Sequence, residues 1–208
     1  MMLEMKTTDF LDALSSSAPV PGGGGASAAA GAMGAALGMM VANLTAGKKK
    51  YADVEEEIIA IRGQLYDLQQ RLVLLTDEDA KAFEPLSKAY GLPRSTPEEQ
   101  EKKAEVMEAA LYEASRPPLE MMETVLEVMR LLEILGEKGS RIAVSDVGVG
   151  ISFCQAALEG ASMNVFINTK SMKNRERAKE MNCRADAMIA EGTVIKERVS
   201  REVEGQIR

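Results

Sequence analysis

Histidine is absent from this chain of 208 residues, and so is tryptophan. Without histidine there is no Ser-His-Asp or Cys-His mechanism and no His-containing zinc site. Two cysteines, Cys154 and Cys183, are too few for a metal cage or a disulfide framework and read as reduced, buried thiols. Aromatic residues make up only 4%, yet the apolar fraction is 46%, drawn from Ala, Leu, Val, Ile and 14 Met. That palette favours helices over strands. Basic charge is in deficit, with 25 Lys and Arg against 32 Asp and Glu and a net charge of −7. A nucleic-acid partner is therefore not expected, because a polyanion needs a basic footprint.

Charge of either sign is missing between Ala13 and Gly47, and Lys48-Lys49-Lys50 follow directly. An uncharged stretch with a basic stop mimics a membrane span. Its detail argues otherwise: Pro19, Pro21, four consecutive glycines and many alanines make it small rather than oily. Glu4, Asp9 and Asp12 near the start are foreign to a signal peptide. A cytoplasmic protein with no membrane partner is expected; a membrane-associated bundle is the competing reading.

The apolar periodicity predicts helices over residues 8–15, 26–46, 53–85, 97–115, 117–135, 142–159 and 175–203. Thr7 or Thr8 caps the first and Asp53 the third. Thr96, Pro97 and Glu99 form a capping-box start. Residues 15–25 read as a loop broken by glycine and proline, Pro117-Pro118 as a break, and residues 164–168 as a short apolar link. Ala30, Gly34 and Gly38 stand four apart and predict a nearly bare helix face. No alternating strand pattern or repeat is found. The fold class is all-α, with residues 1–208 forming one domain of long packed helices and a Gly-rich loop.

Chemistry must come from other groups than imidazole. Gly22, Gly23, Gly24 and Gly25 precede a helix and present backbone N–H groups suited to an anion or a carbonyl; the same run also reads as a hinge. Lys48, Lys49, Lys50 and Tyr51 follow a helix end, where cations complement its dipole or clamp a carboxylate-bearing ligand; positive charge concentrated beside the glycine run of an acidic protein favours the clamp. Asp79 falls on the stripe of Leu72, Leu75 and Phe83, and Asp146 lies among Ile142, Val144, Val147 and Ile151. A desolvated carboxylate has a raised pKa and can move protons near neutrality, or it is a buried Asp satisfied locally. Asp77 points elsewhere and can pair with Lys81, but it becomes the candidate if the helix phase shifts. Asn164 and Asn168 can hydrogen-bond a heterocycle or cap local backbone.

Taken in order, these blocks resemble one family, the formimidoyltetrahydrofolate cyclodeaminases and methenyltetrahydrofolate cyclohydrolases. The resemblance is carried by Pro21-Gly22-Gly23-Gly24, Gly34-Ala35-Ala36-Leu37-Gly38, Asn43-Leu44-Thr45, Gly47-Lys48-Lys49-Lys50-Tyr51 and Asp77-Glu78-Asp79-Ala80-Lys81-Ala82-Phe83. It continues through Ser145-Asp146-Val147-Gly148-Val149-Gly150, Ala157-Leu158-Glu159-Gly160-Ala161 and Asn164-Val165-Phe166-Ile167-Asn168. The chain looks like the stand-alone bacterial cyclohydrolases. The resemblance implies an all-helical homodimer with a folate substrate, no metal and no cofactor. It also implies hydrolysis of 5,10-methenyltetrahydrofolate to 10-formyltetrahydrofolate, or alternatively cyclodeamination with release of ammonia. On that reading Asp79, Asp146 and, in reserve, Asp77 are catalytic, while Gly22, Gly23, Gly24, Lys48, Lys49, Tyr51, Asn164 and Asn168 bind substrate. A non-catalytic folate-binding module or helical scaffold is the third possibility.

Overall fold

The apolar stripes become six helices in a computed structural model that describes residues 1–208. They are α1 (Thr7–Leu14), α2 (Gly23–Thr45), α3 (Glu55–Tyr90), α4 (Pro97–Lys138), α5 (Val144–Ser171) and α6 (Arg175–Ile207). There are no strands. Helix α2 packs against α3, α4 and α5, and α6 covers α4 and α5. A single core of 40 buried residues joins α2 to α6, so the chain forms one domain.

The small residues of α2 let three helices close on it. A Cβ on Gly31 would meet Val125 Cγ2 at 2.8 Å, one on Gly34 the Gly150 carbonyl oxygen at 3.0 Å, and one on Gly38 Leu65 Cδ1 at 2.9 Å. Each lack of a side chain is thus filled by a neighbour. Ala30 was expected on this face, but the close-packed set is Gly31, Gly34 and Gly38. Helix α5 runs antiparallel to α2: Gly23 lies beside Asn164, Ser27 beside Gly160, and Gly34 beside Gly150 and Cys154.

Several predicted boundaries move. Helix α2 starts at Gly23 rather than 26, so most of the glycine run is its first turn and only Gly22 is the N-cap. Tertiary packing overrides glycine's poor helix propensity there. Lys6 and Val54, not a threonine or Asp53, precede α1 and α3, without side-chain caps. The Thr96 capping box stands: Thr96 Oγ1 accepts from the Glu99 N–H at 3.2 Å, and Glu99 accepts in return from the Thr96 N–H at 3.1 Å.

The predicted break at Pro117-Pro118 does not occur; α4 runs unbroken for 42 residues. Proline at 118 removes the N–H that would reach the carbonyl of Ala114, four residues back. Asn168 supplies the substitute, its Nδ2 donating to Ala114 O at 3.1 Å in the core between α5 and α4. Residues 164–168 are therefore not a link but part of α5, and Asn168 is committed to α4 rather than to a ligand. Asn168→Leu leaves that carbonyl unpaired and is expected to destabilise the protein by about 1–3 kcal/mol. Denaturant unfolding of the variant measures this, and an unchanged midpoint would contradict it.

Helices α2 and the run 141–171 are long and apolar enough to cross a membrane by length and composition alone. Within the fold, 61% of the apolar window of α2 is already buried, against 44% for the second helix, so α5 keeps an apolar side outside the core.

Candidate active site

The run Asp77-Glu78-Asp79 near the C-terminal half of α3 sends its three acids to three environments. Asp77 accepts the Met2 backbone N–H at 3.0 Å, rather than pairing with Lys81 as the sequence suggested. Glu78 takes a two-pronged ion pair from Arg71, at 2.7 and 2.8 Å, while the same guanidinium donates from Nε to Glu120 at 2.6 Å. This fixes the rotation of α3 against α4. Asp79, on the opposite side, is turned into the fold against the first turn of α2.

A Cβ on Gly24 would stand 2.6 Å from Asp79 Cγ, so the carboxylate lies directly on that glycine's Cα. The Gly24 position is thus a close-approach glycine, not a left-handed one. Gly47 is the single residue with that backbone, at φ 76°. Burial alone raises the Asp79 pKa to about 6; no cation or donor opposes it. The N-terminus of α2 has no side-chain cap, so its first N–H groups lack side-chain partners. Asn164 closes the corner from α5. Its Nδ2 donates to Gly160 O at 3.0 Å, and its amide lies 3.5 Å from where a Gly23 Cβ would be. Gly22, Gly23, Gly24, Asp79 and Asn164 therefore form one cluster, with Asp77 on its outer side. Next to Asp77 a cavity of about 340 Å³ opens between α3 and the Pro19-Val20 turn, lined also by Met2, Lys81 and Phe83.

The remaining candidates stand at the other end of α2. At 1.5 Å per residue, its 23 residues separate the ends by about 35 Å. There Gly47 turns the chain and its N–H donates to both Glu55 carboxylate oxygens at 2.9 Å. Lys48 and Lys49 project into solvent. The Tyr51 hydroxyl oxygen accepts from the Arg141 backbone N–H at 3.2 Å. This bond, aided by Ser140 and by the charges of Lys50 and Lys48, lowers the Tyr51 pKa. Asp146 lies in the first turn of α5 at this end, partly exposed rather than buried in the core. Of the apolar neighbours that suggested burial, Ile142 is 89% exposed, so this stretch begins at the surface. Along α5, Asp146 is 18 positions from Asn164, about 27 Å at helical rise. One chain thus brings Asp79 together with the glycines and Asn164, and Asp146 near Tyr51 and the lysines, but does not join the two groups. The lysines are not beside the glycine run, as adjacency in the uncharged segment had suggested.

Sequence reasoning missed Arg71 and Glu120 as supports of the Asp79 turn. An arginine seven residues before an acid on one helix was the available signal, two turns along the same face.

Known proteins resemble this chain over nearly its whole length. The formiminotransferase-cyclodeaminase family model matches residues 6–187. A methenyltetrahydrofolate cyclohydrolase of Methylorubrum extorquens is 40% identical over 95% of each chain. The mouse formimidoyltransferase-cyclodeaminase is 29% identical over 91% of this chain, which corresponds to 35% of that longer protein. A solved structure of formiminotetrahydrofolate cyclodeaminase from Thermotoga maritima superposes with a TM-score of 0.90, at 30% identity and over 100% of both chains. On its sequence, its six-helix fold and these matches, the chain belongs to the formiminotransferase-cyclodeaminase family.

Proposed function

We propose that the protein is a folate one-carbon enzyme, a methenyltetrahydrofolate cyclohydrolase that converts 5,10-methenyltetrahydrofolate to 10-formyltetrahydrofolate. The observation that carries this reading is Asp79, a buried and uncompensated carboxylate held against the uncapped start of α2. Its charge costs free energy unless a cation completes the site, and the methenyl substrate brings one. In its ionised form Asp79 takes a proton from the water that attacks the bridging carbon. The resulting tetrahedral carbon collapses as N5 is protonated and its bond to carbon breaks; the hydroxyl proton leaves and the formyl group stays on N10. The N–H groups of Gly23 and Gly24 are suited to the oxygen that becomes the formyl carbonyl. Hydrolysis changes no oxidation state, so the reaction requires no redox cofactor; carboxylate and backbone donors supply the proton transfer and charge stabilisation.

Cyclodeamination is the second reading, favoured by the cyclodeaminase name of the Thermotoga maritima neighbour. It uses the same corner: N10 attacks the formimino carbon and ammonia departs after protonation. Paired assays with methenyl- and formimino-tetrahydrofolate decide between them. Turnover of methenyltetrahydrofolate with none of the formimino compound supports the cyclohydrolase; the reverse overturns it. Folate binding without turnover of either leaves only a binding module.

The folate tail ends in glutamate, and Lys48 and Lys49 are its proposed clamp. Lys48→Gln and Lys49→Gln are expected to raise KM several-fold with little change in kcat, because tail contacts are much the same in ground and transition states. Added salt should weaken the preference for longer polyglutamate tails. If tail length leaves wild-type KM unchanged, the clamp lies elsewhere. The proposed setting is the cytoplasm, and the proposed working form is a homodimer, with neither nucleic acid nor membrane as partner.

A further inference from the structure

Helices α4 and α6 are tied to each other by a ladder of ion pairs. Glu123 pairs with Arg184, Arg130 with Glu191, and Glu133 with Arg198. Partners rise together along both helices, so α4 and α6 run parallel. The first two rungs stand seven residues apart on each helix, which is two turns. One equal step back toward the start of α6 falls on Arg116 and Arg177. There the ladder holds two cations and no acid. Arg116 turns to Glu113 on its own helix at 2.9 Å, an exposed pair of small energetic weight. Arg177 makes no ion pair; its guanidinium stacks over the Tyr112 ring, 4.3 Å from the centroid.

A cavity of about 360 Å³ opens at this rung. Its floor is the buried pair Leu119 and Met181, and Arg116, Arg177 and Arg184 stand around it. Of the acids at the cavity, Glu120 is held by Arg71 and Glu123 by Arg184, which leaves Glu180. The local sequence adds positive charge. From Lys170 to Arg184 this acidic chain carries six Lys and Arg against Glu176 and Glu180. Arg175 is committed to the end of α5, donating to the Thr169 and Met172 carbonyls at 3.1 and 3.0 Å. Arg177 lies in the first turn of α6, the positive end of that helix, where a cation is disfavoured. Two like charges facing one cavity at such an end cost free energy that an anion between them offsets.

We propose that this cleft between α4 and α6 binds a phosphate monoester, with Arg116 and Arg177 gripping the phosphoryl group. The two cations select the ligand. Stacking on Tyr112 uses the face of the Arg177 guanidinium and leaves its N–H edge for a ligand. Each guanidinium fork takes two acceptor oxygens, so two forks at one cavity call for three or four. A phosphate monoester offers three beyond its ester link, whereas a single carboxylate offers two. Leu119 and Met181 suit the carbon body of the ester, and Glu180 accepts a hydroxyl or amino donor from it. The cavity has the size of a small-metabolite site. The cleft shares no residue with the Asp79 corner, and its occupancy does not depend on folate turnover.

Phosphorus NMR titration of the full chain with glycerol phosphate, at constant ionic strength, reads this site without activity. Saturable binding with a Kd at or below about 1 mM is expected. Arg116→Gln and Arg177→Gln should each weaken it about 10-fold or more, with helix content unchanged by circular dichroism. Arg130→Gln, two rungs along the same ladder, should stay within about two-fold of wild type. No saturable binding, unchanged binding in the two variants, or an equal loss in Arg130→Gln overturns the site. Succinate is the competing probe: if it binds as tightly and is lost in the same variants, the cleft takes carboxylates and the phosphate assignment falls. Thermal unfolding gives a second measure. Glycerol phosphate should raise the wild-type melting temperature at fixed ionic strength and leave that of Arg177→Gln in place. Equal shifts in both proteins would put the bound phosphate elsewhere and overturn the proposal.

Discussion

Replacing Asp79 by Asn is expected to lower kcat/KM by about 100-fold or more, the usual scale for removal of a general acid–base group. The same variant should be more stable than wild type at neutral pH. The Asp79 pKa is raised by burial to about 6, above its value in the unfolded chain. Its contribution to stability is therefore fully present below the unfolded value, near pH 4, and is lost as pH rises through about 6. Above that pH the ionised carboxylate costs on the order of 3 kcal/mol, which the neutral amide avoids. A melting-temperature difference that opens between pH 4 and 6 and then levels off would identify the group. Wild-type kcat/KM should rise with pH through an inflection near 6, as the base form appears. Loss of activity with loss of stability would point to a packing role instead. Near-normal turnover of Asp79→Asn would remove it from the mechanism.

Gly24→Ala is expected to be nearly as damaging, although it adds one methyl group. The new Cβ would overlap the Asp79 carboxylate, with Asp79 Cγ at 2.6 Å, and α2 cannot retreat because α3, α4 and α5 hold it. The acid must rotate away, and a displacement of about 1 Å at a reacting group can cost on the order of 100-fold. Gly23→Ala is the control. Its Cβ would stand at an ordinary 3.5 Å from the Asn164 amide, so activity should stay within a few-fold of wild type. Equal activity in the two variants would show that the glycines serve only as a helix start. Circular dichroism should report a similar helix content for both.

The sequence made the helical class and the placement of Asp79 legible for the same reason. Apolar spacing gives the rotation of α3, and Asp79 occupies a position otherwise taken by leucine or phenylalanine. The Thr96 start was legible because a capping box is a local hydrogen-bond pattern. What stayed hidden depends on partners distant in sequence. Glycine at 23 to 25 signals a loop unless Asp79 and Asn164 are known to press on it. Asp146 looked buried because its neighbours are apolar, but their outer side is open surface. The lysines looked close to the glycines because uncharged sequence joins them, whereas a helix turns that stretch into a rigid spacer.

The contact between Asn168 and the carbonyl opposite Pro118 constrains how this sequence can drift. With proline at 118, every apolar replacement of Asn168 strands the Ala114 carbonyl in the core. Once 118 carries a residue with an N–H, the helix can close its own bond and position 168 is released. The order of substitutions then matters: proline lost first opens a neutral path, asparagine lost first meets a barrier. Two positions fifty residues apart would thus covary among descendants of this chain, with no contribution from the reaction it performs.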